Sequence, residues 1–209
     1  MNEVNYSEVE LTLVDEFNRK EAKHSNDWSN TQYENIKESI KNHYKVEQNY
    51  TCPYCKVEIP VKHGMVWDIE HIIPRVLKPS FMFEPQNLCV VCKDCNGAKS
   101  DEEVLVNPRR VRFPNKSRDY KIVHPHFDKY EDHINPILPG DFYRPLSLKG
   151  EFTIIKCRLL RFYGVVDRTQ PDKEIDELAK ALISSDGMAR TVLEDELVRR
   201  ITEKRNSSD

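Results

Sequence analysis

Apolar residues recur at helical intervals in the N-terminal part of the chain. Residues 31–47 carry four of them, spaced three or four positions apart: Tyr33, Ile36, Ile40 and Tyr44. Thr31 precedes Glu34 by three positions, which is the spacing of a capping box. The pattern therefore predicts a helix that begins near Thr31 and leads to the first cysteine.

A similar periodicity returns after residue 169. Two apolar faces are visible there, the first formed by Ile175, Leu178, Ala179, Leu182 and Ile183, and the second by Val192, Leu193, Leu197, Val198 and Ile201. Pro171 suits the first turn of a helix, and Gly187 is placed to end it. We expect two amphipathic helices in this part of the chain.

Other apolar groups are too short to assign by periodicity alone. The group from Val9 to Phe17 fits a strand or a short helix equally well. Residues 107–150 are rich in proline, basic residues and turn formers, which predicts loops with short strands. Phe152, Ile154 and Ile155 suggest one further strand.

Composition limits the classes of protein that need to be considered. The chain has 209 residues, of which 38% are hydrophobic, enough for a folded core. We expect a cytoplasmic protein without a membrane span, because no apolar run approaches about 18 residues. The net charge is −3, with the basic excess in the middle of the chain and acidic excess at both ends, so charge alone neither supports nor excludes a phosphate ligand.

Six cysteines in a reducing compartment are more typical of metal sites than of disulfides. Cys52 and Cys55 form one CxxC pair, and Cys92 and Cys95 form another after 36 intervening residues. Two such pairs predict a closed, structural zinc site with four thiolate ligands. Cys89 and Cys92 have the same spacing, but Cys89 lies in an apolar, strand-like stretch, so we expect Cys89 and Cys157 in the core.

Residues with catalytic potential lie between and beside the cysteine pairs. Glu70 and His71 are flanked by isoleucines and followed by Pro74, which can bend the end of a strand. Asn87 and Asn96 follow, the latter directly after the last cysteine. A neutral imidazole can accept a proton from water, and carboxylate and amide oxygens suit Mg²⁺ or Mn²⁺.

Residues 52–100 resemble the HNH endonuclease superfamily. The similarity rests on Glu-His-Ile-Ile-Pro from Glu70, on Asn87-Leu, and on Cys92-x-x-Cys-Asn-x-x-Lys. It implies a ββα-metal core in which His71 is the general base, Glu70 and Asn96 hold a catalytic Mg²⁺ or Mn²⁺, and Asn87 orients the imidazole. Asn96 stands where the family name implies histidine, as in many similar members.

Several basic residues are candidates for contacts with phosphate. They are Arg75, Lys99, Arg109, Arg110 and Arg112. A group of histidines, His124, His126 and His133, has the composition of a second metal site, but hydrogen bonding within a turn region explains it more simply.

Together these patterns predict an α+β protein in four parts. They are a helical N-terminal arm (1–48), a zinc-clamped nuclease core (49–106), a basic loop-rich region (107–168) and a helical C-terminal extension (169–209). The resemblance implies cleavage of DNA, with RNA as an alternative substrate, and a non-catalytic zinc module remains the rival from another class. The region from Tyr120 to Arg161 loosely resembles the HNH subunit of Septu-like bacterial defence systems, which implies an anti-phage role beside an ATPase partner; a homodimer is the alternative assembly.

Overall fold

The structure, a computed structural model, describes residues 1–61, 64–161, 173–183, 185 and 187–206. Its helices are α1 (Glu8–Arg19), α2 (Glu34–Glu47), α3 (Lys93–Lys99), α4 (Leu148–Lys156), α5 (Lys173–Ile183) and α6 (Gly187–Asn206). Its strands are β1 (Trp67–His71), β2 (Leu88–Cys92), β3 (Ile134–Leu138) and β4 (Phe142–Pro145). Helices combined with two small antiparallel sheets confirm the predicted α+β class.

The N-terminal apolar group is helical. Ser7 caps α1 in a reciprocal capping box with Glu10, a local signal that favours the helix over the strand. Phe17, fully buried near the end of α1, packs edge to face on Phe83 with 5.0 Å between ring centroids. A second contact fixes the segment before α1: the Tyr6 hydroxyl donates a hydrogen bond to the carbonyl of Phe83 over 3.0 Å.

Helix α2 begins three residues later than the sequence suggested. Thr31 to Tyr33 form a 3-10 turn that the Asn30 side chain caps by accepting from the Gln32 amide. The predicted capping box between Thr31 and Glu34 is therefore wrong. The predicted apolar face is confirmed, since its four members are fully buried: Tyr33, Ile36, Ile40 and Tyr44.

The β1–β2 hairpin is the platform of the central region. The strands pair antiparallel from Trp67 opposite Cys92 to His71 opposite Leu88. Helix α2 packs against both strands, and α3 follows β2 without a break and packs on them as well. This arrangement brings the end of β1 beside α3, which is the local geometry that the ββα resemblance implies.

Residues 107–161 contain a hairpin, which confirms the predicted short strands, and one helix that the sequence did not indicate. Strands β3 and β4 form a bulged hairpin. The predicted strand at Phe152, Ile154 and Ile155 is wrong, because these residues lie in α4, where the Ser147 side chain caps the helix by accepting from the Gly150 amide. A Cβ at Gly150 would lie 1.9 Å from the carbonyl oxygen of His133, so only glycine allows this approach.

Helices α5 and α6 pack against each other, and Arg144 of β4 forms an ion pair with Glu194 of α6. Both predicted C-terminal helices are present, but Val192 of the second predicted apolar face is 62% exposed, and Gly187 does not end the first helix. It begins α6 with a φ of 60°, a conformation that glycine adopts without strain, whereas α5 ends at Ile183. Pro171 lies outside the described residues. In the described part of the chain, no helix has the length and apolar character to cross a membrane.

Candidate active site

Four buried cysteines converge at one end of the hairpin. The sulfur atoms of Cys52, Cys55, Cys92 and Cys95 all lie within 4.8 Å of one another, and those of Cys55 and Cys92 are 3.8 Å apart. A tetrahedral zinc site with Zn–S bonds of about 2.3 Å has sulfur–sulfur edges of about 3.8 Å, so the geometry fits zinc. This cluster confirms the two predicted CxxC pairs.

The local chain geometry explains why the pairs point inward. The Lys56 amide donates to the Cys52 carbonyl over 2.8 Å, and Lys56 has a φ of 55°, which closes a tight turn around the first pair. Cys92 ends β2 and Cys95 lies in the first turns of α3. Cys89 and Cys157 are also buried but lie outside the cluster, which resolves the ambiguity between Cys89 and Cys95.

The sulfur cluster favours a bound cation. Hydrogen bonds from Cys52, Cys55 and Cys95 lower the pKa of the Cys92 thiol, whereas the neighbouring sulfurs raise the pKa of Cys95, so the sulfurs compete for protons and a cation would relieve that competition. Arg161 lies against the cluster, with its guanidinium nitrogens 3.6 Å from the sulfurs of Cys92 and Cys95. Sequence reasoning missed Arg161, because it lies 66 residues beyond Cys95.

A cleft of about 940 Å³ lies between α2 and the end of the hairpin. Five carboxylate residues line it: Glu34, Glu38, Asp68, Glu70 and Asp101. Three cationic residues accompany them: Lys37, Lys41 and Arg75. His71 and Asn96 line the same cleft, so the structure brings together three of the four residues that the resemblance assigns to the catalytic site, Glu70, His71 and Asn96, whereas Asn87 does not line it. The excess of carboxylates favours a cation here.

Glu70 is held from the interior side of the cleft. Its Oε1 lies 2.7 Å from the Lys99 ammonium and accepts a longer hydrogen bond, 3.3 Å, from the Tyr54 hydroxyl. Burial raises the pKa of Glu70, and the Lys99 charge opposes that rise. Tyr54 and its role as a support for Glu70 were not visible in the sequence.

Lys99 therefore occupies an interior position instead of the surface position that a phosphate contact needs. Its side chain is 0% exposed, and its ammonium also donates to the His71 carbonyl over 3.2 Å. Lys99 is among the residues that the sequence suggested for a phosphate contact, and lysine side chains are almost never fully buried unless they are paired. The charge of Glu70 and the carbonyl of His71 account for its burial.

The imidazole of His71 has a defined tautomer. Its Nε2 lies 3.1 Å from the Met82 carbonyl oxygen, which can only accept, so a neutral ring carries its proton on Nε2 and leaves Nδ1 basic. Burial, with smaller contributions from the charges of Arg75 and Lys99, lowers the pKa of His71 to about 3. Trp28 packs edge to face on the ring, with 4.6 Å between centroids. The ring is thus neutral and fixed.

Asn87 organises the loop between the strands. Its Oδ1 accepts from the Ile73 amide over 2.7 Å, and its Nδ2 donates to the carbonyls of Ile73 and Phe81 over 3.1 and 3.0 Å. These bonds hold the loop that carries Met82. The resemblance assigns Asn87 to orienting the imidazole, and in this geometry the carbonyl of Met82 makes the direct contact with His71.

Asn96 is held by a residue that the sequence reasoning overlooked. Its Nδ2 donates to Oδ2 of Asp68 over 3.0 Å, which leaves the harder Oδ1 atom for a cation. Asp68 also forms an ion pair with Lys93, with 3.1 Å between its Oδ1 and the Lys93 ammonium. Strand alternation could have identified it, because residues 68 and 70 point to the same face of β1.

The remaining basic candidates are dispersed. Arg75 lines the cleft and donates to the Ser25 carbonyl over 3.4 Å. Arg109 and Arg112 are exposed, Arg110 pairs with Asp119 at 2.6 Å, and none of these three lines the cleft.

The histidine group after residue 120 contributes to packing and hydrogen bonding. His124 is fully buried and stacks on Phe127, with 4.2 Å between ring centroids. The Nε2 atom of His126 lies 2.8 Å from the Leu88 carbonyl. Among the described residues, the four cysteines form the only group of three or more His, Cys, Asp or Glu ligands close enough to share an ion.

Comparison with known proteins agrees with this geometry. No curated protein matches the chain. A family model does match, and it covers the cysteine cluster, both strands of the first hairpin and α3. The chain thus contains, at residues 52–102, a segment that matches the family described as HNH endonuclease.

Proposed function

We propose that this protein is an endonuclease that depends on a divalent cation and hydrolyses phosphodiester bonds in DNA. The observation that carries the proposal is the convergence of Glu70, His71 and Asn96 on one cleft inside the segment that matches the HNH family. A non-catalytic zinc module would need the four cysteines but would have no need for a fixed, neutral histidine beside hard oxygen ligands.

The donor set fits Mg²⁺ or Mn²⁺ better than a softer metal. Glu70 and Asn96 supply oxygen ligands, and Asp68 adds negative charge nearby. When bound, the cation would neutralise charge on the phosphate and on the departing oxygen. The Lys99 ammonium opposes the rise in the pKa of Glu70 that burial causes, and it does so without filling the cleft, since it approaches from the interior.

His71 acts as the general base in this proposal. Its Nδ1 removes a proton from the attacking water while the oxygen–phosphorus bond forms and the bond to the leaving oxygen breaks. The Met82 carbonyl and the Trp28 ring hold the imidazole in place. An anionic phosphate in the cleft raises the pKa of His71 by electrostatic attraction, which makes the base stronger when substrate is present.

Substitution of His71 tests the mechanism. His71→Ala should reduce nicking of supercoiled plasmid about a hundredfold or more in the presence of Mg²⁺ or Mn²⁺. The matched control is His24→Ala, because His24 is exposed and lies outside the cleft. Unchanged nicking by the His71 variant, with zinc content and thermal unfolding intact, would reject His71 as the general base. Absence of nicking by the unsubstituted protein with either metal would favour the zinc-module interpretation.

Substrate and biological role form a second layer of the proposal. DNA is preferred to RNA on family resemblance, and parallel assays on plasmid and tRNA decide between them. The defence role, with an ATPase subunit as partner, rests on the looser resemblance of the region from Tyr120 to Arg161. The defence role is tested by measuring cleavage with and without the product of the neighbouring gene. Equal cleavage rates with and without that product would argue against it.

A further inference from the structure

Helix α3 separates two clefts, and Gly97 borders both of them. The first is the catalytic cleft; the second, of about 740 Å³, lies between α3 and the end of α4. Gly97 is exposed, and a Cβ at this position would meet no heavy atom within 4 Å. The space above the helix at Gly97 is therefore open, and an extended ligand that crosses here meets no side chain from Gly97 itself.

The two clefts differ in charge. Carboxylates predominate in the catalytic cleft, whereas the second is lined by Lys93, Arg158 and Arg161 against a single carboxylate, that of Asp94. A phosphate needs a metal ion to enter the first cleft, because its lining is anionic. In the second cleft the side chains themselves supply the positive charge.

Arg158 is the cation best placed to bind a ligand in the second cleft. Lys93 pairs with Asp68, and Arg161 lies against the cysteine sulfurs and Asp94. Arg158 is exposed and has no ion-pair partner within the described part of the chain. It follows the end of α4 with a φ of 49°, and its amide donates to the Ile155 carbonyl.

Apolar surface lies next to this arginine. Ile155 is 60% exposed and Leu160 is 44% exposed, and both line the second cleft. A nucleic-acid strand presents phosphates alternating with the less polar faces of sugars and bases. An exposed guanidinium beside exposed aliphatic side chains can contact both a phosphate and the less polar sugar or base next to it. A free anion would use only the guanidinium, so the site fits a nucleic-acid strand better.

We propose that the second cleft binds the phosphate of a nucleotide adjacent to the scissile one, with Arg158 as its principal contact, so that the DNA strand crosses α3 at Gly97. The inference rests on the proposed function, since it takes the scissile phosphate to lie in the catalytic cleft. It adds a binding site that involves α4, outside residues 52–102.

Equilibrium binding tests this path independently of catalysis. Zinc-loaded, full-length protein is titrated onto a fluorescein-labelled DNA duplex in buffer without Mg²⁺ or Mn²⁺, at several salt concentrations, and anisotropy is recorded. Arg158→Ala should weaken binding and reduce the slope of log K against log salt by about 0.9, the value expected for one lost phosphate contact. Gly97→Gln should also weaken binding, because it places a side chain in the path.

The matched control is Arg19→Ala, because Arg19 ends α1 and lines neither cleft. The inference is overturned if the salt slope is unchanged in Arg158→Ala, or if the slope falls in Arg112→Ala instead. It is also overturned if the unsubstituted protein does not bind DNA. Failure of the proposed function gives a different result from failure of this inference. In that case the unsubstituted protein binds DNA with a slope that depends on Arg158 but does not cut plasmid with either metal.

Discussion

The buried ion pair between Lys99 and Glu70 gives the sharpest prediction. Both side chains are almost fully excluded from water, with exposures of 0% and 4%, and their charged atoms are 2.7 Å apart. Replacing one member of such a pair leaves an unpaired charge in the interior, which costs about 3–5 kcal/mol. Lys99→Met should therefore lower the free energy of unfolding by that amount.

The loss should appear as a lower melting temperature. For a chain of this size, 1 kcal/mol corresponds to about 2–4 °C, so Lys99→Met is expected to melt roughly 6–20 °C below the unsubstituted protein. The double variant Glu70→Gln with Lys99→Met removes both charges and should recover much of the stability, because replacing both partners is far less costly than replacing one.

Urea unfolding of the four proteins in this double-mutant cycle, each with its zinc content verified, measures the coupling directly. A further arm adds Mg²⁺ to Lys99→Met, since a cation at Glu70 should replace part of the missing positive charge and raise the melting temperature. The reasoning is refuted if Lys99→Met loses less than about 1 kcal/mol, or if the double variant is as unstable as the single one.

Three further predictions concern the zinc site, a glycine and acid stability. Cys95→Ser should lose the single zinc ion measured by elemental analysis, whereas Cys89→Ser, also buried, should keep it; equal zinc contents would contradict the assignment. Gly150→Ala should destabilise by several kcal/mol because its Cβ meets the His133 carbonyl, whereas Gly97→Ala should stabilise by up to about 1 kcal/mol; similar effects in thermal unfolding would contradict this. The pKa of His71 is about 3 in the folded chain and about 6.5 in the unfolded chain, so below pH 6.5 the unfolded chain binds a proton that the folded chain excludes. The contribution of the neutral His71 to stability is fully present above pH 6.5 and falls by about 2 kcal/mol between pH 8 and pH 5. Urea unfolding of His71→Gln should show a correspondingly smaller loss over this range, and an identical pH dependence would contradict the argument.

The sequence was most informative where the chemistry depends on local spacing. The two CxxC pairs and the adjacent Glu70 and His71 are visible because neighbouring residues determine their geometry. Phe152 and its apolar neighbours were misassigned because a short apolar run fits a strand or a helix, and the deciding features are the Ser147 cap and the tight approach of Gly150 to a distant carbonyl.

Long-range contacts account for what the sequence could not provide. The position of Lys99 depends on Glu70, 29 residues earlier, and Arg161 reaches the sulfurs from beyond α4. Asp68 carried a usable signal, since it alternates with Glu70 along β1, but its contact with Asn96 exists only after the hairpin and α3 have packed. The boundaries of the four predicted parts remain predictions.

Cys95 and Asn96 are joined by one peptide bond in α3, so a sulfur ligand and a cleft residue share the same turn of helix. Oxidants or chelators that open the sulfur cluster would displace the Asn96 amide without reacting with it. Under the proposed function, cleavage activity should therefore fall in proportion to lost zinc, even when fresh Mg²⁺ or Mn²⁺ is plentiful. Thiol protection during purification then becomes a condition for measuring catalysis at all.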